Sequence, residues 1–155
     1  MVFEIGNKRD LSSILELYKQ LNENNGSSNI NIDEVNKIWD NIENIGIKYF
    51  LAKDNGKITG SCYICIIPNL TYNGKSIGYI ENVITNENYR RKGIGKKLME
   101  MAIEYAKENN CYKIVLQSGI KRVKAHKFYE SIGLDGESKR AFELRFYKKN
   151  KMKIY

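Results

Sequence analysis

Proline occurs once, at Pro68, tryptophan once, at Trp39, and histidine once, at His126, in a chain of 155 residues. A single proline leaves no Pro-rich linker, and no low-complexity stretch or internal repeat divides the chain. Residues 1–155 are therefore expected to form one domain. Cysteine is also scarce, at Cys62, Cys65 and Cys111, which gives no disulfide framework. Cys62 and Cys65 have the spacing of a metal knuckle or redox pair, but they lie in an apolar run that reads as a strand. Residues three apart on a strand point to opposite faces. Both read as small buried apolar side chains, and no metal is expected. His126 neighbours the apolar stripe of its helix, and Ser118-Gly119 is not the nucleophile elbow of a Ser-His-Asp triad. No apolar run approaches the ~20 residues that span a bilayer, so no membrane partner is expected. Met1 to Gly6 lacks the charged and apolar regions of a signal peptide. A cytoplasmic location is the resulting expectation.

What is present is an apolar fraction of 42% and a net charge of +8. The first suffices for a core. The second suits nucleic acid, an anionic surface or an anionic small ligand, and only the location of the basic residues distinguishes these.

The apolar pattern changes period along the chain. Val2 to Ile5 reads as a strand. Asp10 is placed to cap a helix with Leu11, Ile14, Leu15, Tyr18 and Leu21 inward, and Asp33 a second with Val35, Ile38, Trp39, Ile42 and Ile45 inward. The polar stretch between them reads as a loop. Ile47 to Lys53 and Lys57 to Ile67 read as strands joined at Asp54-Asn55-Gly56, a type I′ hairpin signal. Asn73-Gly74 marks another turn, and Ile77 to Thr85 a further strand. A helix then carries Ile94, Leu98, Met101, Ala102, Tyr105 and Ala106 inward, and Tyr112 to Gln117 reads as a strand. Strand, crossover helix and strand predict a parallel pair. A helix with Ala125, Phe128, Tyr129 and Ile132 inward follows, closed by Gly133. Phe142 to Lys148 alternates and reads as a last strand. The fold class is α+β, with a mixed sheet flanked by helices.

The most informative stretch is Arg90-Arg91-Lys92-Gly93-Ile94-Gly95-Lys96-Lys97, between a strand and a helix. A helix start presents unpaired N–H groups and a positive dipole end. Glycine lets an anion approach the backbone closely. Five basic residues in these eight add charge. The stretch reads as a phosphate or pyrophosphate cradle, or else as a helix start with a solvated basic face. It is not a Walker A loop, since Arg90 stands where the first glycine belongs and Lys97 where Ser or Thr belongs. It is not a dinucleotide fingerprint, since Leu98 replaces the third glycine.

Arg90-x-x-Gly93-x-Gly95 resembles the acetyl-CoA signature of the GNAT N-acetyltransferases. The flanking Ile80-Glu81-Asn82-Val83-Ile84-Thr85 and Ala125-His126-Lys127-Phe128-Tyr129-Glu130-Ser131-Ile132-Gly133-Leu134 resemble that family as well. The likeness is sharp from about Ile77 to Leu134. It implies a GNAT fold, with a mixed, mostly antiparallel sheet of about six to seven strands, about four helices, and a parallel splayed strand pair at the centre. It implies acetyl-CoA as co-substrate, with its pyrophosphate on the backbone of Arg91, Lys92, Gly93, Ile94, Gly95 and Lys96, beside Arg90 and Lys97. The pantetheine arm would run along Val83, Ile84 and Thr85 towards Ser118, with Arg122 and Phe128 near it. Arg122 stands where many relatives carry Asn. A bulge near Asn82-Val83-Ile84, where alternation breaks, would open the sheet.

The resemblance further implies transfer of the acetyl group to a primary amine by direct attack in a ternary complex. A Lys-like amine, with a pKa near ~10.4, must first lose a proton. Glu81 is the candidate base and Tyr129 the candidate acid for the departing thiolate. Read as residues alone, Glu81 is equally a carboxylate on an open sheet face paired with a base, and Tyr129 equally a core ring. Glu81-Asn82-Val83 and Cys111 to Leu116 are also similar to glucosamine-6-phosphate N-acetyltransferases. Ser118-Gly119-Ile120-Lys121-Arg122 departs from that branch, so small-molecule and peptide amines both stay open. Dimers are common in the family, and a homodimer is among the expectations.

Two other classes compete. One is a basic module for nucleic acid or another polyanion. Its densest basic cluster, however, sits on a loop suited to pyrophosphate, with no interleaved aromatics, and no nucleic-acid partner is expected. The other is a catalytically silent acetyl-CoA sensor, against which Glu81 and Tyr129 argue.

Overall fold

The computed structural model describes residues 1–21, 31–144 and 146. They fall into two compact units, Met1–Leu116 and Gln117–Tyr155.

The first unit opens with β1 (Val2–Ile5). A 3₁₀ turn, Lys8–Asp10, leads into α1 (Leu11–Tyr18). Asn7, not Asp10, caps this entry. Its side chain accepts from the Arg9 N–H, while the Asp10 carboxylate accepts from the Asn7 N–H at 3.1 Å. The other Asp10 oxygen takes Lys53 Nζ at 2.6 Å, and Lys53 also reaches Glu4 at 2.6 Å. One ammonium thus ties β1, the segment that carries Lys53 and the start of α1. Similarly, Asn31 rather than Asp33 caps α2 (Ile32–Asn44), accepting from the Asp33 N–H. Both expected Asp caps lose to an Asn two or three residues earlier, as Asn caps as well as Asp.

Strands β2 (Lys48–Asp54), β3 (Lys57–Ile67), β4 (Ser76–Thr85) and β5 (Cys111–Leu116) follow, with α3 (Ile94–Glu108) as the crossover. The sheet order is β1-β2-β3-β4-β5. Every pairing is antiparallel except β4 with β5, which is parallel as the crossover rule requires. Among the described residues the parallel pair therefore stands at one end of the sheet. The β2–β3 turn has Asn55 at φ 48° and Gly56 at φ 78°, the left-handed pair that a type I′ turn demands.

One face of the sheet carries α1 and α2. Leu11, Ile14, Leu17, Val35, Trp39, Tyr49, Leu51, Ile58 and Ile84 form its core, with Tyr18 and Tyr63 packed against it. Leu17 takes the inward place expected of Leu15, and Ile38 of α2 and Ile45 just after it are exposed. The other face carries α3, which buries Ile94, Leu98, Met99, Ala102 and Ala106. Gly60 makes this packing close, because a Cβ there would meet Ile94 Cγ2 at 2.7 Å and Leu98 Cδ1 at 3.0 Å. Cys62 is fully buried and its thiol donates to Leu98 O, whereas Cys65 is half-buried on the opposite face.

The second unit contains α4 (Val123–Ser131), closed by Gly133 at φ 94°. The sheet has five strands among the described residues, not the six to seven expected. No strand forms over residues 142–144, where Phe142 and Leu144 are exposed. Alternation alone does not make a strand without a neighbour to pair with. The remainder of that expected strand, at 145 and 147–148, lies outside the described residues. So does most of the loop expected from Asn22 to Asn31.

Candidate active site

The β3–β4 ladder changes register at one point. Tyr63 pairs with Glu81, but Ser61 pairs with Ile84. Two steps on β3 therefore match three on β4, which is a β-bulge at Asn82-Val83. Asn82 sits at φ 51°, a left-handed conformation that Asn tolerates better than most residues. The bulge has two consequences. Glu81 and Ile84 come to the same face of the sheet, so Ile84 joins the core under α1 and α2 while Glu81 lies further out on that face. The strand also bends. Its parallel pairing with β5 ends at Ile80–Leu116, and the β4 edge from Glu81 to Thr85 has no β5 partner.

Beyond Thr85 the chain turns through a 3₁₀ segment, Glu87–Tyr89, anchored by Asn86. The Asn86 N–H donates to Thr59 O at 2.8 Å, and its side chain accepts from the Asn88 N–H at 3.1 Å. Arg90 Nε donates back to Thr85 O at 3.4 Å. Arg91 at φ 63° and Gly93 at φ 77° then reverse the chain into α3. The first intrahelical bond runs from the Lys97 N–H to Gly93 O. The amides of Ile94, Gly95 and Lys96 thus precede the ladder and are available to an anion. Arg90, Arg91, Lys92, Lys96 and Lys97 are all exposed around them, and a Cβ added at Gly93 would meet nothing within 4 Å. Ile94 is buried and holds the helix start on the sheet.

The loop, the unpaired edge and Glu81 thus lie in sequence along one margin of the first unit. Glu81 is half-buried, and among the described residues it enters no ion pair, so it is not a carboxylate matched to a neighbouring base. Its neighbours on that face are tyrosines, which sequence reading did not single out. Tyr49, Tyr63 and Glu81 form one row across β2, β3 and β4. The Tyr49 and Tyr63 rings lie 5.1 Å apart, and Trp39 lies 5.2 Å from Tyr49. Tyr79, two residues from Glu81, shares its face. Burial, then the Glu81 charge, pushes the Tyr63 hydroxyl up to about 12; the same two causes raise Tyr79, and a hydrogen bond from its hydroxyl to the Glu81 carboxylate adds to them. Tyr18 of α1 packs against the same cluster. Burial raises its hydroxyl strongly, the Tyr49 charge adds to this, and the Ser61 and Asn82 side chains oppose it.

The other expected residues belong to the second unit. Arg122 is exposed and precedes α4, accepting at its carbonyl from the Ala125 and His126 amides. The buried Ser118 Oγ makes no hydrogen bond. Phe128 is half-buried with its ring 5.3 Å from that of Tyr129, which is buried. His126 Nε2 lies 3.0 Å from Gly119 O, a local contact consistent with a structural role.

A bulged strand followed by a glycine turn into a crossover helix is the arrangement that the resemblance to the GNAT family implies. The model of the acetyltransferase (GNAT) family matches residues 11–134. The chain belongs to that family and is an acetyl-CoA-dependent N-acetyltransferase. It is 36% identical over 126 residues to a glucosamine 6-phosphate N-acetyltransferase from Trypanosoma brucei brucei, covering 80% of this chain and 82% of that one. Among solved structures, a putative acetyltransferase from Agrobacterium tumefaciens superposes with a TM-score of 0.86 at 33% identity, over 94% of this chain and 99% of that one. A structure from Clostridium acetobutylicum described as a predicted acetyltransferase with acetyl-CoA gives 0.73 at 25% identity, over 93% and 95%. No helix among the described residues is long and apolar enough to cross a membrane.

Proposed function

We propose that this enzyme acetylates the primary amine of an amino-sugar phosphate. The observation that carries the reaction is the β4 edge, without a β5 partner from Glu81 to Thr85, with a carboxylate outside any ion pair at its start. The acceptor class is supported by the relative from Trypanosoma brucei brucei, which covers four-fifths of the chain. The fit to acetyl-CoA rests on residues present. The amides of Ile94 to Lys96 and the exposed Arg90, Arg91, Lys92, Lys96 and Lys97 suit a pyrophosphate, and the open β4 edge from Val83 to Thr85 suits an amide-bearing arm. Acetyl-CoA supplies an activated acetyl thioester there.

The rest falls to the chain. Glu81 takes one proton from the acceptor's ammonium, directly or through water, so that its nitrogen becomes a nucleophile. A C–N bond forms as the C–S bond breaks. Tyr129 gives its phenolic proton to the departing sulfur and recovers one from the acetylated nitrogen. The balance is one ammonium and one thioester consumed, and one amide, one thiol and one proton released. Ser118, Arg122 and Phe128 are proposed to contact the CoA arm.

The test is thermal unfolding with acetyl-CoA, CoA, NAD and ATP in turn, followed by a thiol-release assay with glucosamine 6-phosphate beside peptide N-termini, polyamines and antibiotics. A ligand at a hundred times its dissociation constant stabilises the folded state by roughly 2.7 kcal/mol. Shifts with acetyl-CoA and CoA alone, and turnover of the amino sugar, are expected. Salt-dependent DNA binding without such shifts would overturn the reading.

A further inference from the structure

Glu81 is a half-buried carboxylate with no basic side chain in ion-pair range among the described residues, on a chain that carries an excess of eight positive charges. Its immediate surroundings are aromatic instead. Tyr63 stands directly opposite it across the ladder, and Tyr79 lies two residues before it on the same face. Cross-strand partners have Cβ atoms about 5 Å apart. Tyr49 occupies one side of the Tyr63 ring, at 5.1 Å, which leaves the Glu81 side as the other. Tyr63 and Tyr79 are both half-buried, so neither ring is closed off. Their raised hydroxyls keep both rings neutral through the working pH range. A carboxylate beside two neutral tyrosine rings, one of which, Tyr79, also holds it by a hydrogen bond from the hydroxyl, is a receptor for a cation. Attraction of an ammonium to an aromatic face is worth about 0.5–2 kcal/mol, more when desolvated.

We propose that Tyr63 and Tyr79 dock the acceptor in its ammonium form against Glu81, making them specificity residues that select an amine over the corresponding alcohol. This rests on the reading that Glu81 borders the acceptor. The acceptor is thus bound as a cation and deprotonated only at the site. The Tyr49–Tyr63 stack holds the receiving ring in place from behind.

The experiment compares wild type, Tyr63→Leu, Tyr79→Leu and Tyr63→Phe. Steady-state KM and kcat are measured with the best amine of the panel above, glucosamine 6-phosphate being the first tried. The inhibition constant of its hydroxyl analogue (glucose 6-phosphate for that amine) and the acetyl-CoA dissociation constant by calorimetry are measured alongside. Each Leu variant is expected to raise the amine KM about tenfold, the scale of one such contact. The other constants should stay within about twofold, and Tyr63→Phe should behave as wild type because it keeps the ring face. An unchanged amine KM in both Leu variants would overturn the proposal alone. So would an equal loss for amine and alcohol, which signals a merely structural role. If acetyl-CoA binds but no amine is acetylated, the reading and the proposal fall together. Should Tyr63→Leu fail to fold, Tyr79→Leu, whose ring does not stack on Tyr49, decides the matter.

Discussion

Tyr63 faces Glu81 across the β3–β4 ladder in the last regular pair before the strands slip register. The slip has a physical origin in Asn82, whose left-handed backbone inserts one extra residue into β4. The same bulge that aims Glu81 also leaves the next four residues without a partner on the β5 side. The candidate base and the open edge thus share one cause.

Substitution at the bulge therefore affects both. Asn82→Val places a β-branched residue at φ 51°, which costs roughly 1–2 kcal/mol. Lower thermal stability together with lower turnover is expected, whereas Asn82→Gly should keep the bulge and most activity. Full activity in Asn82→Val would separate the bulge from catalysis.

Glu81→Gln keeps the size of the side chain and removes its basicity. A fall in kcat of about a hundredfold is expected, within the usual range for a general base. The acetyl-CoA dissociation constant should hardly change. A pH–rate profile that matches wild type would remove Glu81 from the proton transfer.

Tyr129→Phe keeps the ring that packs within α4 and deletes the hydroxyl. A decrease in kcat of about ten- to a hundredfold is expected at unchanged fold, read by thiol release and far-UV circular dichroism. Wild-type turnover would exclude the acid role.

Gly93→Val tests the cradle. A Cβ at this position has space around it, but φ is +77°, where a branched residue is strained. The acetyl-CoA dissociation constant is expected to rise at least about tenfold, as the amides of Ile94 to Lys96 lose their aim. An unchanged constant would assign the pyrophosphate elsewhere.

Alkaline pH should destabilise the fold. Burial pushes the Cys62 thiol up to about 12, from an ordinary value of 9.0. Tyr63 is also pushed up to about 12, from 10.0. Both groups hold their protons more tightly folded than unfolded. Stability is therefore full below about pH 9 and declines as pH rises towards 12, with a slope of up to about 1.4 kcal/mol per pH unit from the buried thiol. Urea midpoints from pH 8 to 11 measure this, and Cys62→Ala should flatten the decline.

Much of the outline is legible in the residues. The period of apolar positions places α1 to α4 and β1 to β5 within a few residues. Asn55-Gly56 specifies its turn because few other residues accept two positive φ values in succession. The Gly93 loop stands out because a helix start, two glycines and five basic residues fall within eight positions, a pattern that suits an anion. The likeness over residues 77–134 agrees with the family match over 11–134.

The tyrosines around Glu81 were not legible, and the reason is register. A regular hairpin counted from Asn55-Gly56 would set Tyr49 opposite Cys62. A bulge at Thr59 moves the pairing by one, which places Tyr49 opposite Tyr63 instead. A second bulge, at Asn82-Val83, fixes what lies beside Glu81. Side chains alternate with a period of two, so each one-residue slip exchanges faces. No strand forms over 142–144 for a related reason, because alternation states a preference and a strand exists only once a neighbour supplies its hydrogen bonds. By itself, the sequence determined the elements, the turns and the glycine loop into α3, all of which depend on residues near in the chain. Which side chains meet at the carboxylate was decided by the tertiary structure alone, because strand register is set by packing between residues far apart.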